Sequence, residues 1–132
     1  MKIILDTNVI VSALLTPAGI PAKILNYVLG KNVRLIYDNN ILTEYISVLS
    51  RKELKIDKKL ADVIIDFISS EGEFFTAAPL KLIFVHEDDK KFYELYKSSE
   101  ADYLVTGNIK HFPKEKGIVT PKTFIERETE SE

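Results

Sequence analysis

The stretch KIILDTN, at residues 2–8, decides the fold that we predict for this 132-residue chain. Residues 2–5 form a short apolar run that ends at Asp6, a pattern typical of a buried parallel strand that leads into a loop. Asn8 can then cap a helix over residues 9–15. We therefore predict that Asp6 lies at the carboxyl end of a strand, the edge at which open parallel sheets bind ligands.

Helix-like and strand-like segments alternate along the rest of the sequence. Apolar spacing predicts further helices over residues 21–30, about 38–53, 57–70 and about 89–96, and a last one that begins at Pro121. Strand patterns occur at residues 34–37, 74–77, 103–106 and 117–120. The alternation predicts an α/β fold, with helices on both faces of a mostly parallel sheet.

The composition indicates one globular domain. Hydrophobic residues make up 45% of the chain and charged residues 29%, a balance that can bury a core without a long disordered segment. We expect the domain to cover residues 1–126 and a short polar tail to cover residues 127–132. No run resembles a signal peptide or a membrane span, so we expect a cytoplasmic protein that does not associate with membranes. The absence of cysteine excludes disulfides and cysteine-ligated metal sites.

Four polar side chains are predicted to meet at one rim of the sheet. Asp6 and Asn108 directly follow strands, and Glu44 and Asp89 lie in the first turns of helices that begin after strands. Converging carboxylates repel one another unless a cation neutralises them, and hard oxygen ligands select magnesium or manganese over zinc. Each residue also has a simpler interpretation: Asp6 and Asp89 as helix caps, Glu44 as a helix-dipole partner and Asn108 as a turn residue.

Five sequence segments resemble those of PIN-domain proteins, in the branch described as toxin components of toxin–antitoxin systems. They are LDTNVIVSALL (5–15), ILTEYISVL (41–49), DDKKF (88–92), ADYLVTGNIKHF (101–112) and TPKTFIE (120–126). The resemblance implies a PIN-like three-layer α/β/α sandwich whose acidic residues bind Mg²⁺ or Mn²⁺ for RNA hydrolysis. It also implies a cognate antitoxin partner and a homodimer.

The resemblance assigns roles to individual residues. The metal-binding and catalytic positions correspond to Asp6, Glu44, Asp89 and Asn108, and the family register favours Asp89 over its neighbour Asp88. Many relatives carry Asp where this chain has Asn108, which lowers the site charge by one and leaves the number of metals open. Asn8 and Thr106 match as residues that orient the carboxylates. Asp102 precedes its strand, so we expect it at the opposite end.

The implied reaction is phosphodiester hydrolysis by a water that the metal activates, leaving a 5′-phosphate and a 3′-hydroxyl. With a net charge of −2, the chain needs bound cations to attract RNA. The nearest candidates for RNA contacts are Arg51, Lys52, Lys110 and His111, each of which is otherwise a solvated surface charge. We interpret His86 and His111 as surface or packing residues rather than general bases.

Two other functions fit parts of the pattern. A receiver-type phosphoacceptor domain also binds magnesium at strand ends, but it needs an acidic pair after the first strand, where this chain has Asp6 followed by Thr7 and Asn8. A catalytically silent PIN domain, acting as a protein- or RNA-binding module, would explain Asn108.

Overall fold

A five-stranded sheet forms the centre of the molecule in the computed structural model, which describes residues 1–30 and 33–129. The strands are β1 (Lys2–Leu5), β2 (Arg34–Tyr37), β3 (Glu73–Phe74), β4 (Tyr103–Val105) and β5 (Ile118–Val119). Every pair of neighbours is parallel, in the order β3-β2-β1-β4-β5. The predicted α/β fold with a parallel sheet is confirmed.

Six α-helices surround this sheet within the described residues. They are α1 (Thr7–Leu15), α2 (Ile20–Gly30), α3 (Asn39–Leu49), α4 (Lys58–Glu71), α5 (Lys90–Ser99) and α6 (Pro121–Thr129). Helix α2 packs against α1 and α6, while α3 packs against α4 and α5. No single described helix is long and apolar enough to cross a membrane; α1 and α2 pass that test only as a pair bent by 102°.

Strand β1 lies at the centre of the sheet and is covered on both faces. Successive residues of a strand point to opposite sides, yet Ile3, Ile4 and Leu5 are 0%, 0% and 1% exposed. Both faces must therefore be covered by helices, as in a three-layer sandwich. The carboxyl end of β1 is aligned with that of β4, because Leu5 pairs with Val105. Residues that follow these two strands consequently lie side by side.

Helix α1 begins two residues earlier than the sequence predicts. Asp6, and not Asn8, holds the N-cap position, with extended dihedral angles of −62° and 145°. Its side chain makes no capping hydrogen bond to α1 and accepts instead from Thr106, the first residue after the neighbouring strand β4. Asn8 lies inside the first turn of α1. The prediction that Asn8 caps α1 is therefore wrong. The Asp6 carboxylate does not bond to the backbone of the helix that it precedes.

Other element boundaries differ for local reasons. Helix α3 ends at Leu49, where we predicted about Glu53, because Arg51 is extended before the short 3₁₀ turn Lys52–Leu54. Strand β3 is shorter than predicted because its partner β2 ends at Tyr37. At the C-terminus, residues 127–129 complete α6 where we expected a tail, and residues 130–132 lie outside the described residues.

Candidate functional site

The carboxylate of Asp6 is buried between the ends of β1 and β4. Only 4% of the residue is exposed. Its backbone N–H donates to the Val105 carbonyl at 2.9 Å, which continues the ladder between the two strands. The Thr106 hydroxyl then donates to Asp6 Oδ2 at 2.8 Å. The first residue after β4 therefore contacts the carboxylate of the first residue after β1, and the orienting role of Thr106 stays a prediction.

A chain of hydrogen bonds fixes the loop after β4 against α1. The backbone N–H of Asn108 donates to Thr106 Oγ1 at 2.9 Å, and that of Gly107 donates to Asn8 Oδ1 at 3.1 Å. Asn8 Nδ2 in turn lies 3.5 Å from Asp6 Oδ2. Asn8 and Thr106 thus contact both the carboxylate and the loop that carries Asn108.

Glu44 approaches the site from α3 and has partners on both of its carboxylate oxygens. The Thr7 hydroxyl donates to Oε2, and the Lys91 ammonium lies 2.7 Å from Oε1. The side chains of Lys91 and Glu44 are 21% and 24% exposed, so this ion pair is partly shielded from solvent. The positive charge of Lys91 therefore already neutralises the negative charge of Glu44, one of the three predicted acids.

Asp89 lies at the start of α5, and its carboxylate points away from the helix backbone. It holds the N-cap position without making a capping hydrogen bond. Its Oδ2 atom lies 2.8 Å from Nδ1 of His111, which follows Asn108 in a short 3₁₀ turn. Asp89 therefore occupies the cap position, as the simpler interpretation has it, but its side chain bonds to the β4–β5 connection and not to the helix backbone.

The three acids act electrostatically on one another. Burial is the largest cause that raises the pKa of Asp6, and the hydrogen bonds from Thr106 and the Asn8 backbone lower it. The charges of Asp89 and Glu44 add to the effect of burial, and together these causes bring the pKa to about 6. Burial, followed by the charges of Asp6, Glu44 and Asp38, also raises the pKa of Tyr45 well above its usual range. Tyr45 thus stays neutral and donates its hydroxyl to the Leu5 carbonyl.

Comparison with known proteins identifies the family. The family model described as a PIN domain matches residues 2–110, which include Asp6, Glu44, Asp89 and Asn108. The chain belongs to the PIN-domain family.

Two further comparisons give one protein of similar sequence and one of similar fold. The PIN domain is 30% identical over 112 residues to an uncharacterized protein of Methanocaldococcus jannaschii, in an alignment that covers 82% of this chain and 71% of that protein. Its fold is similar to a chain in the crystal structure of VapBC2 from Rickettsia felis bound to a DNA fragment from their promoter. That match has a TM-score of 0.60 and 20% identity, and it covers 91% of this chain and 97% of the other. PIN domains are in general nucleases.

The structure brings some of the predicted site residues of this PIN domain together and places others apart. Asp6, Glu44 and Asp89 are near enough for their charges to act together, and His111 contacts Asp89. Asn108 is tied to the site through its backbone, whereas its side chain is exposed and makes no hydrogen bond within residues 1–30 and 33–129. Lys110 is exposed beside His111.

The structure places Arg51 and Lys52 away from the three acids. They lie beyond the end of α3 at Leu49, which is itself roughly 7.5 Å along the helix axis from Glu44 at 1.5 Å per residue. There they line a groove of about 690 Å³ between α3 and α4, together with Lys55 and Lys58. Contact of Arg51 and Lys52 with RNA stays a prediction, but it would have to occur outside the site.

Three residues at the site were not predicted from the sequence: Thr7, Lys91 and His86. Thr7 and Lys91 bond to Glu44, and the His86 ring stacks on His111 with centroids 3.7 Å apart. Only Lys91 had a sequence signal, since it follows Asp89 within DDKKF at the start of a predicted helix. These contacts join residues far apart in the chain, so local patterns do not reveal them.

The donor chemistry of the site fits a hard divalent cation. Asp6 and Asp89 each keep one carboxylate oxygen without a hydrogen bond in the described part of the chain, and oxygen is the ligand that Mg²⁺ prefers. Across the same residues, no three or more Asp, Glu or His side chains already converge into a set that would hold a metal ion. Ion binding would therefore require side-chain movement.

The raised pKa of Asp6 predicts how stability changes in Asp6→Asn. The folded chain binds the Asp6 proton more tightly than the unfolded chain, because the pKa rises from 3.8 to about 6. Ionising Asp6 therefore costs stability as pH rises between these values, and the full cost is present above them. Asparagine lacks this cost but can still accept from Thr106. In EDTA at pH 7, we expect Asp6→Asn to be more stable than wild type by roughly 1–3 kcal/mol.

Urea unfolding at pH 4 and pH 7 measures this difference. We expect the advantage of Asp6→Asn to be small at pH 4 and large at pH 7. The matched control is Asp66→Asn, which changes an exposed carboxylate on α4 and should differ little from wild type at either pH. If the wild-type protein is instead more stable than Asp6→Asn at pH 7, the prediction is wrong, because the ionised carboxylate then stabilises the metal-free fold.

Proposed function

We propose that this PIN domain is a metal-dependent endoribonuclease that hydrolyses RNA phosphodiester bonds in the cytoplasm, with Mg²⁺ or Mn²⁺ as its cofactor. The observation that carries the proposal is the burial of Asp6 beside Asp89 and Glu44, which raises its pKa to about 6. A buried carboxylate with acidic neighbours is costly to ionise unless a cation binds it. Perturbed acids of this kind concentrate at functional sites.

The free oxygens of Asp6 and Asp89 are the first candidates to hold the ion. Glu44 can join them only if it exchanges one of its present partners, Lys91 or Thr7, for the ion or for a water attached to it. The exposed side chain of Asn108 can rotate to bring its amide oxygen toward the same cation. A neutral amide attracts the ion less than a carboxylate, so the site suits one strongly held cation better than two.

When bound, the ion supplies an activated water and charge that stabilises the scissile phosphate. The chain's own residues perform the other tasks. Thr106 and Asn8 hold the Asp6 carboxylate in one orientation, and His111 does the same for Asp89. Lys91, once Glu44 turns to the cation, places an ammonium group beside the phosphate. No nucleophilic side chain is needed, in keeping with a chain that has no cysteine.

A catalytically silent PIN domain is the second candidate. Two observations favour it: Asn108 occupies the fourth acidic position, and Lys91 already neutralises Glu44 at 2.7 Å. Both features reduce the attraction of the site for a divalent ion. Such a domain would bind RNA or a protein without cleaving it.

An RNA cleavage assay separates these two candidates. We expect wild type to cleave single-stranded or structured RNA in Mn²⁺ and to lose this activity in EDTA. Asp6→Asn and Asp89→Asn should each reduce the rate about 100-fold or more, since several kcal/mol of transition-state stabilisation depend on the ion. The products should carry a 5′-phosphate and a 3′-hydroxyl.

Asp66→Asn serves again as the matched control and should cleave at the wild-type rate. Equal cleavage by wild type, Asp6→Asn and Asp89→Asn, or cleavage that EDTA leaves unchanged, would refute the mechanism. A complete lack of Mn²⁺-dependent cleavage by folded wild type on every RNA offered would favour the silent domain.

The proposal extends to a toxin with a cognate antitoxin. Its support is the fold similarity to the Rickettsia felis VapBC2 structure and the resemblance of the sequence segments to PIN-domain toxins. We propose that the antitoxin binds over or beside the rim that carries Asp6 and Asp89. Homodimerisation rests on the family resemblance alone and stays a prediction.

Growth of an expression host tests the toxin role. Induction of the wild-type chain without an antitoxin should slow growth, whereas induction of Asp6→Asn to the same protein level should not, because RNA cleavage is lost. Asp66→Asn should slow growth as wild type does. Equal slowing by Asp6→Asn would assign the growth effect to something other than the nuclease site.

A further inference from the structure

A pair of stacked imidazole rings adjoins the candidate active site. His86 and His111 lie with ring centroids 3.7 Å apart and an angle of 16° between their planes. We call this pair the histidine platform. His111 Nδ1 is 2.8 Å from Asp89 Oδ2, so one end of the platform is fixed to a carboxylate of the site. His86, at the other end, is exposed.

The segment before His86 forms an apolar wall of a groove beside the platform. The groove has a volume of about 440 Å³. Ile83 and Val85 are 99% and 95% exposed, although apolar side chains of this size usually avoid water. Phe84 between them is buried and lies 5.6 Å from Tyr93 and 6.2 Å from Phe112, measured between ring centroids. This anchor holds the apolar side chains on either side of it at the surface.

One lysine lies in the same groove, and two more lie in the groove next to it. Lys110 lines it, and none of its lining residues is acidic. A second groove, which shares Pro113 with the first, is lined by Lys114 and Lys116. The one acid of that second groove, Glu115, is already paired with Lys97 at 3.0 Å. Lys110, Lys114 and Lys116 form no ion pair within residues 1–30 and 33–129. Planar rings, an apolar wall and these lysines together suit a nucleotide, because its base can stack and its phosphate is anionic.

We propose that the histidine platform binds an unpaired base of single-stranded RNA next to the scissile phosphodiester, with Lys110 contacting a flanking phosphate. This inference rests on the proposed function and names the substrate feature that the site recognises. The base stacks on the open face of His86 and contacts Ile83 and Val85. Because His111 joins the platform to Asp89, a base held there positions the adjoining phosphate at the acids. Base-paired RNA cannot offer such a base, so the platform selects single-stranded segments.

The test measures RNA binding separately from cleavage. The probe is a short fluorescein-labelled oligoadenylate, with Ca²⁺ replacing Mn²⁺ and probe integrity checked on a denaturing gel. We expect His86→Ala to weaken binding about five- to tenfold, as the loss of one stacked base does, and His86→Phe to restore it to within about twofold. Lys110→Ala should weaken binding and reduce its salt dependence. The matched control Phe74→Ala, which removes an exposed ring from the edge strand β3, should bind as wild type does.

Probes with a single abasic site separate stacking from a structural role. We expect one position of the abasic site in the probe at which loss of the base weakens binding to the wild-type protein. At that position, the same loss should change binding to His86→Ala very little. If His86→Ala weakens binding to every abasic probe to the same extent as binding to the intact one, the ring does not stack on a base and the proposal is wrong. If RNA binding is unchanged in His86→Ala while Ile83→Asp alters the oligomeric state, the surface is a protein contact and the proposal is again overturned.

Failure of the platform and failure of the nuclease give different results. Mn²⁺-dependent cleavage without a base-dependent effect of His86→Ala would retain the nuclease and overturn the platform. Base-dependent binding without cleavage would retain the platform on a silent PIN domain.

Discussion

The hydrogen bond from Thr106 to the buried Asp6 carboxylate is the interaction on which the site depends. It joins the residues that directly follow the two central strands, and the parallel register of Leu5 with Val105 brings them together. The same register aligns the loop after β4 with the first turn of α1, where Asn8 accepts from Gly107. The register of the sheet therefore fixes the position of the Asp6 carboxylate. The buried charge of Asp6 in turn acts on the other ionisable groups at the carboxyl edge of the sheet.

Charge compensation explains how an acidic centre can exist in a chain with a net charge of −2. Lys91 pairs with Glu44, and His111 contacts Asp89, so two of the three acids have a nitrogen partner within hydrogen-bond distance. Among the residues that the structure describes, the Asp6 carboxylate bonds only to the neutral side chains of Thr106 and Asn8. The uncompensated charge is thus concentrated on the most buried acid of the three, where a small hard cation gains most from binding.

Sequence patterns predicted the parts of this protein that depend on local rules. The apolar run before Asp6 and the strand before Asn108 indicated a parallel sheet with polar residues at its carboxyl edge, and the family register selected Asp89 over Asp88. Asp102 lies at the opposite end as expected, accepting from the backbone of Lys2. The contacts of Lys91 and His86 could not be predicted, because packing of α5 on α3 and of one loop on another creates them. Arg51 lies outside the helix in which we predicted it, because α3 ends at Leu49, and its contact with RNA stays a prediction.

The central claim is that Asp6 and Asp89 hold a divalent cation at this rim. The most direct measurement is an anomalous difference map from crystals of the wild-type protein soaked in Mn²⁺. Our account predicts one strong peak within coordination distance of the free oxygens of Asp6 and Asp89, with Glu44 turned from Lys91 toward it. A well-ordered site that shows no peak there, or a peak bound only elsewhere on the protein, would contradict the account.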